Sequence, residues 1–510
     1  MEKILFKKAN EFKERYANIK TPILQELIWF HRIKSDQDKE LLTLEFLNVC
    51  ASHSKEGKLF EEEDKINYKR DIELRNIIYN FPELEVIYKS QVDDNEKWKK
   101  IEDTLKSKFK NIIVDYSYLR SRFDTIKTFY TTVNLFKKAS LGMNTNRRWT
   151  SKFLYPFAFE TLFPDLDNRN DSFTIDRRFF SRGGEVLYLM ISRGKNILEL
   201  KKLMEKVYKE NPQNKRWLDL YRILTNSLNN KDCYNGNIGF LRVKNHIIFD
   251  NLVKDLISLF KVNIPQKDYF YHLSNIVSFY FVHFILSISA EVSQESFLEG
   301  DNEYKIVYPI EILAPTSNHV RRASRIIYKI NEELPLYALE KSLKQYLGNI
   351  DFSISESTLI DKLKELNLID EDNYNLTYSK NDVYKKTIEA ITKKFKRELK
   401  PIHRVLLKDA GLASVKKTNS YRYLMNDNFL KTLILINVEN KKNFDDFINL
   451  LYLKYGFIIS KKHSVLLKEK YAENDFEKNK KRFFEKLKSI GYLENKSDGY
   501  TYVINRFGKR

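Results

Sequence analysis

Apolar residues recur along this chain at helical spacing almost from end to end. Ile23, Leu24, Leu27, Ile28 and Phe30 form a dense stripe after Pro22, which suits the first turn of a helix. Leu41, Leu42, Leu44, Phe46, Leu47 and Val49 form a second stripe, and Ile72, Leu74, Ile77, Ile78 and Phe81 a third that stops at Pro82. Residues 97–113 and 126–136 are amphipathic at the same period, and Glu61-Glu62-Glu63-Asp64 reads as an acidic helix start. Residues 140–196 break the rhythm: Gly142, Asn144 and Asn146 open a loop, Pro156 and Pro164 punctuate it, and Asp and Asn cluster over 165–171. Helices resume over 196–330, with a loop at 229–239 and a short β-branched and aromatic strand at 304–312. Tyr269–Val292 carries no charge before Glu291 and nearly has the length of a membrane span. His272, Asn275, His283 and four serines interrupt it, which predicts a buried central helix with satisfied core histidines instead of a span.

The last third has a different grammar. Residues 429–438 and 444–455 read as helices. A third follows over 475–490, with Asn474 as its N-cap and Phe476, Phe483, Phe484, Leu487 and Ile490 on one stripe. Lys478, Lys481, Arg482 and Lys488 fall largely on the other face, and Gly491 suits the C′ position. Tyr492–Lys496 and Tyr500–Ile504 then read as strands joined by a Ser497-Asp498-Gly499 turn. Helix, glycine, strand, Asp-Gly turn and strand, after two earlier helices, resemble the winged helix-turn-helix family over about residues 427–507. The resemblance implies that 475–490 is a recognition helix for the major groove and that Lys496–Tyr500 tips the wing. Residues 336–347, 357–368 and 369–378 resemble a weaker second unit. The expected fold class is therefore mainly α with small β-hairpin wings, in four domains. These are a helical N-terminal domain (1–135), a helical central domain with an Arg/Gly-rich loop (136–333), a basic winged-helix-like domain (334–426) and a C-terminal winged helix (427–510).

Composition sharpens this picture. The 510 residues hold 89 Lys and Arg against 69 Asp and Glu, a net +20, with only 14 Gly and 10 Pro. So few breakers exclude collagen-like and turn-rich all-β chains. The excess charge is local: residues 381–424 carry twelve cations against four acids, and residues 429–510 carry eighteen against ten. Each stretch is thus +8, and an anionic partner, above all nucleic acid, is expected there. The two cysteines, Cys50 and Cys233, form no metal or disulfide framework, and the N-terminal residues lack the apolar run of a signal peptide. A reducing cytoplasmic setting, with no membrane, is the expectation.

Candidate phosphate contacts are Lys393, Lys394, Lys396, Arg397, Arg404, Lys416, Lys417 and Arg422 in the first basic stretch, with Tyr421 and Tyr423 placed to stack bases. Lys478, Lys481, Arg482, Lys488 and Lys496 are the candidates in the second. Arg177, Arg178, Arg182, Gly183 and Gly184 could cradle a phosphate, since arginine forks oxygens and glycine admits a close anion. An internal ion network with the nearby aspartates is the competing account. Walker-type, Gly-x-Ser-x-Gly and His-Glu-x-x-His motifs are absent. No catalytic residue, metal or cofactor is expected, although pairs such as Asp176 with Glu185, or Glu303 with Glu311, would be needed for a cryptic metal-dependent nuclease.

The leading expectation is a non-enzymatic, double-stranded-DNA-binding accessory subunit that leaves the chemistry to partner proteins such as an ATPase or nuclease. In size, basicity and its winged-helix end the chain loosely resembles accessory subunits of prokaryotic antiphage and restriction systems. The alternative is a protein-only scaffold whose charge meets an acidic partner.

Overall fold

The structure is a computed structural model. It describes residues 28–29, 38–63, 65–69, 72–108, 115–142, 152–162, 166–169, 172–175, 182–209, 211–226, 232–238, 241, 243–293, 305–312, 318–348, 355–365, 379–415, 420–495 and 500–508. It is mainly helical, with small two- and three-stranded sheets. The N-terminal half runs α1 (Lys39–Lys55), β1 (Lys65–Lys69), α2 (Ile72–Tyr79), α3 (Leu84–Lys89), α4 (Asp94–Ser107), α5 (Tyr118–Arg122), α6 (Ile126–Lys138), β2 (Ser140–Gly142), β3 (Lys152–Leu154), β4 (Leu166–Arg169), β5 (Ser172–Ile175), α7 (Gly183–Ser192), α8 (Ile197–Tyr208), α9 (Lys215–Leu224) and β6 (Asp232–Asn237). The C-terminal half runs α10 (Ile247–Lys261), α11 (Gln266–Ser293), β7 (Tyr308–Pro309), α12 (Asn318–Gly348), α13 (Glu356–Glu365), α14 (Lys380–Ala410), β8 (Ala413–Val415), β9 (Tyr421–Tyr423), α15 (Asp427–Asn437), β10 (Lys441–Asn443), α16 (Phe444–Tyr455), β11 (Phe457–Ile458), α17 (Lys461–Ser464), α18 (Glu473–Ser489), β12 (Leu493–Asn495) and β13 (Thr501–Ile504).

The uncharged segment is α11, and it is the axis of the molecule. By length and composition it could cross a membrane, but it is buried among α1, α10, α12, α14 and α15. Its Phe279 ring meets Tyr308, Phe429, Tyr455 and Phe457, so one side chain ties the centre to four C-terminal elements, β7, α15, α16 and β11. Its histidines are structural. His272 Nδ1 lies 2.8 Å from Thr432 Oγ1 and His283 Nδ1 2.8 Å from the Tyr308 hydroxyl. Burial, the largest cause in both, lowers them to about 4 and about 3. Of the first expected stripe only Ile28 is described; it and its neighbour Trp29 are helical, and Trp29 Nε1 donates to Ser289 Oγ of α11 at 3.0 Å.

The cores do not follow the expected domain boundaries. Residues 74–136 of α2 to α6 enclose a core of their own, joined by Leu154, Tyr221 and Leu224. The α1 helix instead belongs to the large core, which continues to Val503. The boundary expected at 333/334 falls inside α12, which runs unbroken through Pro335. Proline there forfeits one backbone bond. Burial of Leu334, Ala338, Leu339 and Leu343 against neighbouring helices offsets that cost. Residues 61–63 of the acidic run are not helical, Asp64 lies outside the described residues, and β1, which pairs antiparallel with β6, follows.

At the C-terminus three strands form one antiparallel sheet in the order β10-β13-β12, with Lys441 opposite Ile504 and Leu493 opposite Val503. Helix α18 starts at Glu473, so Ala472 and not Asn474 is the N-cap; Gly491, at φ 75°, ends it as expected. The hairpin turn at 496–499 and the second expected unit's hairpin at 369–378 lie outside the described residues. The long link from α16 to α18 is fastened to the body. In it β11 pairs in parallel with β7, and Asn479 of α18 donates to the carbonyls of Ile310 and Ile459, both at 3.0 Å, while accepting from Ile312 N–H at 2.9 Å.

Candidate nucleic-acid interface

Helix α14 separates its cations by face. A capping box of Ser379 with Asp382 opens it, and Gly411 at φ 93° closes it. Val383, Thr387, Ile391, Phe395, Leu399 and Leu406 turn inward. Lys385, Lys393, Lys396, Arg397 and Lys408 are exposed, and Lys394 is half-buried. Arg397 also reaches Glu398 at 2.9 Å. Lys393 and Lys396 have no ion-pair partner among the described residues.

Other members of the same basic stretch are internal. Lys400 pairs with Glu332 and Glu333 of α12, and Arg404 donates to Glu332 Oε1 at 2.5 Å while lying over the Tyr421 ring. Arg422 is only 1% exposed, and its Nε is 2.5 Å from Glu311 Oε2, an acid that also holds Arg321. Arg422 therefore does not reach a phosphate, and Tyr423, fully buried, does not stack a base. Tyr421 is half-buried and stacks on Tyr328. A buried arginine needs a buried acid, and the long separation of residues 311 and 422 hides that pairing from local sequence. Lys416 and Lys417 lie outside the described residues.

Helix α18 repeats the division. Lys480 and Lys486 turn inward to Asp445 and Asp427. Lys478, Lys481 and Lys488 are exposed, Lys478 with Asp475 at 4.0 Å, and Arg482 is half-buried. Lys496 lies outside the described residues. Asn479 anchors the opposite face, so the outward lysines sit on a helix with a fixed orientation.

The Arg/Gly-rich loop is already filled by one of the protein's own carboxyl groups. The Glu45 carboxylate accepts from the backbone N–H of Arg182 at 2.8 Å and of Gly184 at 2.7 Å, at the N-terminus of α7. That terminus attracts negative charge. Arg182 Nε donates to Glu185 at 2.7 Å instead of pointing outward, and Gly183 and Gly184 are buried. A phosphate site at Arg182, Gly183 and Gly184 is thus corrected to an internal helix cap; Arg177 and Arg178 lie outside the described residues. Burial first, and the neighbouring Glu185 carboxylate second, hold the Glu45 carboxyl well above the usual carboxylate range.

Glu311 and Glu185, each half of a proposed metal pair, are committed to arginines, and their suggested partners Glu303 and Asp176 are outside the described residues. Among the described residues no group of three or more His, Cys, Asp or Glu is arranged to hold a metal.

A groove of about 840 Å³ lies between α10, α15, α16 and the end of β13. Five lysines line it: Lys254, Lys261, Lys441, Lys442 and Lys454. They come from three elements spread over two hundred residues, so no charge run announces them. Beneath it Asp255 is fully buried and accepts from Tyr280 at 2.6 Å and Tyr455 at 2.8 Å, with Lys454 closing the network. No protein-family model, curated protein or solved structure matches the chain.

Proposed function

We propose that this chain is a non-enzymatic subunit that binds double-stranded DNA within a larger cytoplasmic assembly, such as one of prokaryotic antiphage defence or restriction, whose chemistry resides in partner proteins. The observation that carries the reading is the sorting of cations on α14 and α18. Lys400 on α14 and Lys480 and Lys486 on α18 are paired with acids, while Lys393, Lys396, Lys481 and Lys488 face solvent without an acid partner among the described residues. Lysines of that kind neutralise phosphates and release counterions. The order of α15, β10, α16, α18, β12 and β13, with a β10-β13-β12 sheet, supports a winged-helix reading in which α18 enters the major groove.

The experiment is fluorescence anisotropy of the full chain on a short duplex. Lys393→Glu with Lys396→Glu, and Lys481→Glu with Lys488→Glu, are each expected to weaken binding by about ten-fold or more, with circular dichroism unchanged. Wild-type protein that leaves the duplex unbound at low salt would overturn the proposal.

A further inference from the structure

We infer that the lysine-rimmed groove is a docking site for an acidic amphipathic helix of a partner protein. One wall is α10, whose groove-lining residues are Ile247, Asn251, Lys254, Ser258 and Lys261. They are spaced by four, three, four and three residues, which aligns them as one stripe along the helix. On the stripe Ile247 and Lys254 are exposed, Asn251 and Ser258 are half-buried, and Lys261 pairs with Glu199 of α8 at 2.5 Å; it spans about 21 Å at 1.5 Å per residue, or about four turns of an incoming helix. The opposite side of α10 is committed to the core through Phe249, Leu252, Val253, Leu256 and Phe260.

The groove is apolar where an anchor would sit and cationic along both edges. Leu435, Ile436 and Val262 provide buried apolar surface, while Ile247, Leu453 and Phe507 remain 66%, 68% and 42% exposed. Large apolar side chains left in water around one concave surface mark a protein contact. A phosphate backbone would gain nothing from covering them. Lys254 stands on the α10 edge and Lys442 on the β10 edge, and neither has an ion-pair partner among the described residues. Among the described residues that line the groove, Glu439 is the one acid. The complementary ligand therefore presents Leu or Phe on one stripe and Asp or Glu on both flanks. This inference does not rest on the DNA reading, which concerns α14 and α18.

The test uses full-length protein and three labelled synthetic peptides of about four helical turns. The first has Leu and Phe at helical spacing with Glu elsewhere; the second replaces its apolar residues by Ser; the third replaces Glu by Lys. The first is expected to bind about ten-fold or more tightly than either control. Leu453→Asp, and Lys254→Glu with Lys442→Glu, are each expected to weaken it by a similar factor. Leu453 is exposed, so Leu453→Asp should leave the thermal melt unchanged, and it should leave duplex binding unchanged as well. Lys393→Glu with Lys396→Glu should leave peptide binding intact. Equal binding of the Ser-substituted peptide, displacement of the first peptide by duplex DNA, or no binding of the first peptide each overturns the inference, the first two by making the groove a general polyanion site.

Discussion

Arg422 and Glu311 show how a charge counted as surface can become part of a core. Both are essentially inaccessible to water, and Arg321 shares the same carboxylate. Removing the acid alone would strand a buried guanidinium, so Glu311→Ala is expected to cost about 3–5 kcal/mol. Denaturant titration checks this, and an unchanged midpoint would contradict the buried pairing. His403 makes a second case. Burial first, then Arg404 and Lys400, lower it to about 3, against an ordinary value near 6.5. Between those values the unfolded chain binds a proton that the folded chain refuses, so stability falls as pH drops below about 6.5. At pH 5 the loss from His403 is about 2 kcal/mol, and it continues down to the folded value. His403→Phe keeps a ring against Tyr328 and removes the titration. Comparing denaturant midpoints at pH 7 and pH 5 should show a smaller acid loss in that variant; an identical loss would assign the sensitivity elsewhere.

At the scale of elements, α1 and α7 are fitted to one another by a glycine and a carboxylate. A Cβ at Gly184 would lie 2.3 Å from the Phe46 backbone nitrogen and 2.7 Å from the Glu45 carbonyl carbon. Backbone atoms have no rotamer to yield, so Gly184→Ala must separate the helices and is expected to cost about 1–3 kcal/mol. A thermal melt measures it; an unchanged melting temperature would mean that the two helices are not in close contact. The Gly183-Gly184 pair was legible as a place where an anion approaches backbone. That the group seated there is the carboxyl of Glu45, distant in sequence, was not. Helix α18 was legible because amphipathic spacing is local, and so was the Gly491 stop. The loss of Arg404 and Lys400 to α12 was invisible because those residues look identical to their exposed neighbours until α12 is placed beside them.

For the whole molecule, the 89 cations are less available than their count suggests, since Lys400, Arg404, Lys454 and Arg422 are held in internal pairs. The DNA proposal then carries a quantitative expectation. Log affinity should fall linearly with log salt, with a slope of about −0.9 for each phosphate contacted. The double substitutions on α14 and α18 should each flatten that slope by about two. A slope near zero would mean that the exposed lysines meet no phosphates. Periodicity and composition determined the helical class, the buried α11 axis, the hairpin and the two basic stretches, because each depends on neighbours within a few turns. Only the tertiary structure decided which cations remain in water, that the Arg/Gly loop is capped by Glu45, that α12 runs through Pro335, and that five dispersed lysines meet around one groove. Those outcomes depend on which distant side chains share a low-dielectric space, and burial, charge pairing and backbone contact across that space are not properties of any local segment.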